Sequence, residues 1–309
     1  MNSSSGKPLV IIAGPTAVGK TAASLRLAGR IGGEIVSADS MQVYRGMDIG
    51  SAKATPEERE MVPHHLLDIA DPAENFSVAR YQKYAKEAIR EIYGRGHVPI
   101  LVGGTGFYIQ SVLYDIDFTE EESDPAYRAE LYRFSEENGP EALYKKLQEV
   151  DPESAAGIPK ENVKRVARAL EFYHDTGIRM SEHNARQRMK ESPFDYRYFV
   201  LYTARERLYE KIGVRVDEML EKGLLEEVKG LRDRGLTEGM TSMHGLGYRQ
   251  FLRYLEGRYS YEEAVEETKR ETRRYAKRQL TWFRREKSAY FLDVEKEDLI
   301  DVFETRNFT

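Results

Sequence analysis

Short apolar runs alternate with amphipathic stretches through the first third of the chain. The run Pro8-Leu9-Val10-Ile11-Ile12-Ala13 is apolar, rich in β-branched residues and stops at a glycine loop. That pattern predicts a strand buried on both faces of a parallel sheet. Behind it, TAASLRLAGRI carries apolar residues at helical spacing and ends at Gly32-Gly33, where a helix can stop. Residues 34–38 read as a second strand and 77–93 as a helix. Residues 99–102 read as a third strand, which runs into a second glycine turn, and 198–204 as a fourth. Strands alternating with helices predict an α/β fold with a parallel sheet. Ligands bind at the carboxyl ends of such strands. The segments that end three of these runs, 14–21, 39–45 and 103–106, are therefore candidates for one shared site.

The alternation stops near residue 117 and does not resume before 197. Charged, tyrosine-rich helical patterns fill that interval, among them EALYKKLQEV and ENVKRVARALEFYHDTG. The expected organisation is a catalytic core made of 1–116 and 197–309, with 117–196 as a helical insertion. Within the core's second part, 205–234 reads as one or two amphipathic helices and 261–287 as a long basic helix. The chain contains no internal repeat and no low-complexity tract.

Composition narrows the class. Of 309 residues, 40% are apolar and 32% charged, which fits a globular enzyme and excludes wholesale disorder. No window approaches the roughly 18 uncharged apolar residues of a membrane span, so no membrane association is expected. The start, MNSSSGK, is a polar tail without the apolar core of a signal peptide. The absence of cysteine excludes disulfides, thiolate zinc sites and cysteine nucleophiles, and is compatible with a reducing cytoplasm. The six histidines have no zinc spacing, and the adjacent pair His64-His65 reads as structural or site-lining. A net charge of −5 gives no sign of nucleic acid, but its distribution does. Residues 269–287, KRETRRYAKRQLTWFRREK, hold nine basic residues against two acidic ones, with Tyr275, Trp282 and Phe283 interleaved. Basic density with aromatics suits a phosphate backbone and stacked bases; a solvated helix face is the plainer reading.

GPTAVGKT, residues 14–21, matches the phosphate-binding loop G-x-x-x-x-G-K-[ST] in its required strand-to-helix context. Backbone N–H groups from Gly14 to Gly19 would line an anion cradle at a helix N-terminus. Lys20 would set a cation on a phosphate oxygen, and Thr21 would offer its hydroxyl to Mg²⁺. No convincing N-K-x-D of a regulatory GTPase and no apolar strand ending in Asp-Glu of a motor ATPase accompanies it, so a small-molecule nucleotide kinase remains open. Asp39, at the end of the second strand, is a candidate general base or magnesium ligand, or else a turn cap. Gln42 could read a base edge. The GGTG turn could bring Thr105 to a ligand or serve helix packing. Arg215 could stabilise a phosphate leaving group or form a surface ion pair.

Taken together, GPTAVGKT (14–21), SADSMQVYRGMDIGSAK (37–53), PHHLLDIADP (63–72), VPILVGGTGFY (98–108), VKRVARALE (163–171), GYRQ (247–250) and KRQLTW (277–282) resemble the tRNA dimethylallyltransferase family, in its order and over nearly the whole chain. The resemblance implies a P-loop NTPase-like parallel sheet with an inserted helical domain and a helical C-terminal region. It implies transfer of a dimethylallyl group from dimethylallyl diphosphate to N6 of the adenosine just 3′ of the anticodon. Asp39 would be the base. Gly14, Thr16, Ala17, Val18, Gly19, Lys20 and Thr21 would hold the diphosphate, with Thr21 on Mg²⁺ and Arg215 helping to stabilise the leaving charge. The anticodon stem-loop would be gripped by Asp39, Ser40, Met41, Gln42, Thr105, Arg128, Arg165, Arg168, Lys277, Arg278, Gln279 and Trp282. A cytoplasmic monomer is expected. The rivals are a nucleotide kinase, a prenyltransferase acting on free adenine nucleotides, and a non-catalytic tRNA binder. The first two leave the basic stretch without a purpose, and the third has no need of a complete P-loop.

Overall fold

In the computed structural model, which describes residues 6–118 and 124–305, the chain divides into two compact units, 1–113 with 193–309 and 114–192. The expected polar tail at residues 1–5 lies outside the described residues.

The larger unit is built on six parallel strands: β1 (Lys7–Ala13), β2 (Gly33–Ser37), β3 (His64–His65), β4 (Val98–Gly103), β5 (Phe194–Tyr202) and β6 (Tyr290–Asp293), in the order β3-β2-β4-β1-β5-β6. The α/β expectation and all four sequence-read strands are met, with ends shifted by one to four residues. The two edge strands were not read from the sequence. β3 has two residues and β6 four, too short for a period of two to register. The apolar runs of β1 and β4 are fully buried over Leu9–Ala13 and Ile100–Gly103, as a strand covered on both faces requires. Ala13 lies level with Gly103 on one side and Val200 on the other, and Ser37 lies level with Val102. The chain therefore leaves β1, β2 and β4 at one end of the sheet, next to one another.

The helices of this unit follow from equally local causes. α1 (Lys20–Ile31) stops where Gly32 adopts φ 63°, a left-handed conformation that glycine enters without a side-chain clash. α2 (Pro56–Met61) is short and opens on a capping box from Thr55 and Glu58. α3 (Val78–Gly94) is capped by Ser77 and buries Tyr81, Ala85, Ala88, Ile89 and Ile92. α4 (Gly106–Leu113) follows the second glycine turn.

Among the described residues the elements of the smaller unit are all helices: α5 (Pro125–Asn138), α6 (Pro140–Val150), α7 (Pro152–Ala156), α8 (Val163–Thr176) and α9 (Met180–Arg188). Its core of Leu131, Leu143, Leu147, Val166, Ala167 and Leu170 comes from α5, α6 and α8. Asp151, buried, accepts from Ser154 N–H at 3.0 Å and from both the N–H and hydroxyl of Ser181, at 2.9 and 2.6 Å, and so fastens α7 to α9.

After β5 the larger unit resumes with α10 (Arg205–Glu221), α11 (Leu224–Asp233), α12 (Tyr248–Leu255), α13 (Tyr261–Phe283) and, past β6, α14 (Leu299–Thr305). The expected basic helix thus ends four residues early. Arg284, Arg285 and Lys287 sit in the turn that carries the chain into β6. α13 buries Ala264, Thr268, Thr272, Ala276, Gln279 and Phe283, a stripe three to four residues apart that keeps its small side chains toward the core. No helix among the described residues is long and apolar enough to cross a membrane.

Candidate active site

Between β1 and α1 the glycine loop takes the conformation its sequence promises. Gly14 has φ 148° and Gly19 φ 98°, and a Cβ on Gly14 would meet the Leu201 carbonyl oxygen at 2.5 Å, so a side chain is excluded there by the neighbouring strand. Ala17 is held at φ 65°, a costly conformation for a residue with a Cβ. No side chain caps α1, whose first amides face the loop's mouth. Lys20 folds back over the loop and donates to the carbonyls of Gly14 (3.1 Å) and Pro15 (2.7 Å). Burial, with the nearby Arg215 charge, lowers its pKa to about 7, against the opposing pull of Asp39.

One amide of the loop does not point into the cradle. Thr16 N–H donates to Oε1 of Gln279 at 3.0 Å, a partner 263 positions away on α13. The expectation that every N–H from Gly14 to Gly19 lines the anion site is corrected to that extent.

Asp39 follows β2 and closes a tight turn, with Oδ1 accepting from Met41 N–H at 2.8 Å and more weakly from Gln42 N–H at 3.4 Å. The turn-cap reading and the base reading are thus both available to it, because Oδ2 takes no part in these bonds. The Asp39 charge acts on Lys20, Arg215, Tyr81, Tyr108 and Tyr275, which places all of these around it. Arg215, on α10, has its pKa lowered by burial, and its Nε is buried with no hydrogen-bond partner among the described residues. It is not the surface ion pair that an isolated arginine on a helix suggests. An orphaned guanidinium donor is costly.

Gln42 makes its bonds within the protein. Its Oε1 accepts from Ser37 Oγ at 2.9 Å and its Nε2 donates to the carbonyls of Ser51 and Ala52, both at 3.2 Å. Both ends of its carboxamide are thus engaged inside the protein in this structure. The segment it reaches, 48–52, is held from the other side by Glu227 of α11. That carboxylate accepts from the N–H groups of Asp48 (2.8 Å), Ile49 (2.8 Å) and Gly50 (3.0 Å) and from the Tyr248 hydroxyl (2.7 Å). Nearby, the ammonium of Lys53, with its side chain 1% exposed, pairs with Asp48 (2.5 Å) and Asp68 (2.6 Å).

The GGTG turn owes its glycines to close packing. A Cβ on Gly103 would stand 2.1 Å from the Ala38 carbonyl oxygen, one on Gly104 2.1 Å from Gln279 Nε2, and one on Gly106 2.1 Å from Trp282 Cδ1. Thr105 Oγ1 accepts from Ser40 N–H at 3.1 Å, and its backbone N–H donates to Ala38 at 3.1 Å, so the turn is stitched to the Asp39 loop. Gln279 and Trp282, both expected to contact tRNA, pack against this turn. Gln279 is 6% exposed and its Nε2 donates to Gly104 O at 3.0 Å. Lys277 and Arg278 do project outward. Lys269, Arg270 and Arg274 are paired with Asp217, Glu267 and Glu271.

In the helical unit, Arg128 pairs with the buried Glu171 through Nε at 2.7 Å and Nη2 at 2.9 Å, and Arg168 approaches the same carboxylate at 3.6 Å. Arg165 lies on the exposed side of α8. His65 binds Glu34 at 2.6 Å and His64 faces the Val62 carbonyl at 2.8 Å, in keeping with the structural reading of the pair. Among the described residues no group of three or more His, Asp or Glu is arranged to hold a metal.

The chain is similar to proteins of one family. Residues 42–286 match the family model described as IPP transferase; the match begins three residues past Asp39. The tRNA dimethylallyltransferase of Lachnoclostridium phytofermentans is 55% identical over 93% of this chain and 91% of its own, and that of Bacillus mycoides is 51% identical over 93% and 90%. The crystal structure of a tRNA isopentenylpyrophosphate transferase from Bacillus halodurans superposes with a TM-score of 0.72 at 45% identity, covering 96% of this chain and 94% of that one. A eukaryotic dimethylallyltransferase captured acting on tRNA gives 0.83 at 32% identity, over 97% and 76%.

Proposed function

The chain belongs to the IPP transferase family, and we propose that it transfers a dimethylallyl group from dimethylallyl diphosphate to N6 of the adenosine 3′-adjacent to the anticodon in tRNA, releasing diphosphate. The observation that carries this reading is that the Asp39 charge acts on both Lys20 and Arg215, two half-buried cations, where the chain leaves β1 and β2. Alkylation of an exocyclic amine needs those two functions side by side. The N6 lone pair is delocalised into the ring, so the new N–C bond forms only as the amine proton leaves, and Asp39 Oδ2 is the acceptor offered. As that bond forms, the C–O bond to diphosphate breaks and the leaving oxygens take the electron pair. Lys20, the Arg215 guanidinium with its unpartnered Nε, and the amides at the start of α1 stabilise that charge. The adenine must leave its stack to reach the prenyl carbon.

Mg²⁺ suits the oxygen chemistry on offer: it is commonly held by one or two protein oxygens together with substrate phosphates, and the Thr21 hydroxyl in the first turn of α1 is the protein's contribution. Bound there, it would neutralise diphosphate charge. Lys277, Arg278 and Arg165 are the exposed cations we assign to the tRNA backbone. We take the enzyme to be a cytoplasmic monomer, and a sequence without cysteine is compatible with a reducing cytoplasm.

The test is to incubate the protein with Mg²⁺, radiolabelled dimethylallyl diphosphate and either unmodified tRNA or free adenine nucleotides, with an ATP control for phosphoryl transfer. Label should appear in tRNA at the adenosine 3′ of the anticodon. Label on free nucleotide, or phosphoryl transfer from ATP without prenylation, would overturn the reading.

A further inference from the structure

Two sequence features entered without a fixed structural purpose: the GGTG turn and the glutamine of KRQLTW. The structure fits them together. The Gln279 carboxamide lies in a gap that only a glycine at 104 leaves open, and each of its ends has a partner on a different loop of the site. Oε1 accepts from Thr16 N–H in the phosphate loop, and Nε2 donates to the Gly104 carbonyl in the turn after β4. One residue on from Gly104, Thr105 in turn accepts from Ser40 N–H at 3.1 Å, adjacent to Asp39. A single face of α13 thereby touches the phosphate loop and the turn that is stitched to the Asp39 loop, and the residues flanking Gln279 on the outer side are the exposed cations Lys277 and Arg278.

We propose that Gln279 is a positioning residue for the transfer reaction, whose carboxamide fixes the distance between the phosphate loop and the GGTG turn to which the Asp39 loop is stitched through Thr105. The inference rests on the proposed function for its substrates but not for its geometry. An amide side chain suits this task better than any charged group, since it offers one acceptor and one donor to two backbone partners of opposite kind. Held at 6% exposure with both ends satisfied, it has little freedom to shift.

The experiment compares Q279M, close in volume but unable to bond either loop, with G104A, whose Cβ would displace Nε2. Three readouts are taken: amide exchange across 14–20, the kinetic constants, and tRNA affinity. In Q279M the Thr16 amide should exchange at least about 10-fold faster, and kcat should fall about 10- to 100-fold as the loops lose register, with tRNA affinity within about 3-fold of the parent. G104A should lower kcat similarly, and the double variant should lose no more than either single one, as expected when both break the same connection. Thr16 exchange unchanged in Q279M, or losses in G104A and Q279M that multiply, would overturn the assignment. A uniform fall in melting temperature, kcat and tRNA affinity would likewise reduce Gln279 to a packing residue. If the parent protein fails to prenylate tRNA, the proposed function falls, whereas the exchange measurement still decides whether Gln279 holds Thr16.

Discussion

At the scale of single residues the site is organised by unequal solvation. Asp39 is held by two backbone amides on one oxygen and surrounded by two cations and three tyrosine rings. Its replacement by asparagine keeps the turn but removes the proton acceptor; kcat should drop about 10²- to 10⁴-fold, with tRNA affinity unchanged in filter binding. Near-parental turnover in that variant would remove Asp39 as the base. Lys20 makes a different forecast. Burial holds its pKa at about 7, below its unfolded value, so above neutral pH the empty site carries a neutral amine whereas the unfolded chain keeps the proton. A bound diphosphate favours the charged form. Diphosphate binding at a pH of about 8 should therefore draw a proton from solution, and its affinity should decline as pH rises past about 7. Calorimetry in buffers of differing ionisation heat reads that uptake directly. K20R, always protonated, should abolish it; buffer-independent heats in the parent would contradict the argument.

At the scale of elements, the loops of the site are held by side chains far away in sequence. Glu227 is the clearest case, since one carboxylate receives three successive backbone N–H groups and a buried tyrosine hydroxyl. E227A should leave those donors unsatisfied and lower unfolding free energy by about 2–3 kcal/mol in urea titration, with E227Q recovering part of the loss. Glu34 works at the other end of the sheet. Its side chain, 3% exposed, is gripped by Arg95, His65 and His97, and these bonds hold its pKa down to about 2. A depressed carboxylate stabilises the fold above its unfolded pKa and loses that contribution as pH falls toward about 2. E34Q should therefore flatten the acid limb of the stability curve.

These contacts also mark where sequence reading ran out. β1, β4 and the phosphate loop were legible because one continuous run or one octet carries the whole signal. Gln42, Gln279 and Glu227 were not. Their roles depend on partners such as Thr16, 263 positions from Gln279, and a glutamine engaged inside the protein has the same sequence signature as one facing RNA. The glycines of GGTG were visible, but their cause, the Ala38 carbonyl together with Gln279 and Trp282, lies on other elements.

At the scale of the whole molecule the question is how a protein of net charge −5 holds a polyanion. Part of the basic stretch is cancelled internally: Lys269, Arg270 and Arg274 face acidic partners, and the first half of α13 carries Glu262, Glu263, Glu266 and Glu267, which suits the positive end of its helix dipole. What remains is the half-buried Arg273 and a set of exposed cations, Lys277, Arg278, Arg284, Arg285 and Lys287, around the helix end that also touches the site. Such a set should give tRNA binding a salt dependence set by a few released counterions rather than by the whole basic count. K277A/R278A should reduce the slope of log affinity against log salt by about 1.5, at about 0.7–0.9 for each phosphate no longer neutralised. The same variant should keep the single-turnover rate of bound tRNA within a few-fold, because neither side chain reaches the reacting atoms. D39N should do the reverse, preserving the slope and losing the chemistry. An unchanged slope in K277A/R278A would move the tRNA backbone off α13. The exposed Arg165 of the helical unit would then be the next residue to test by the same titration.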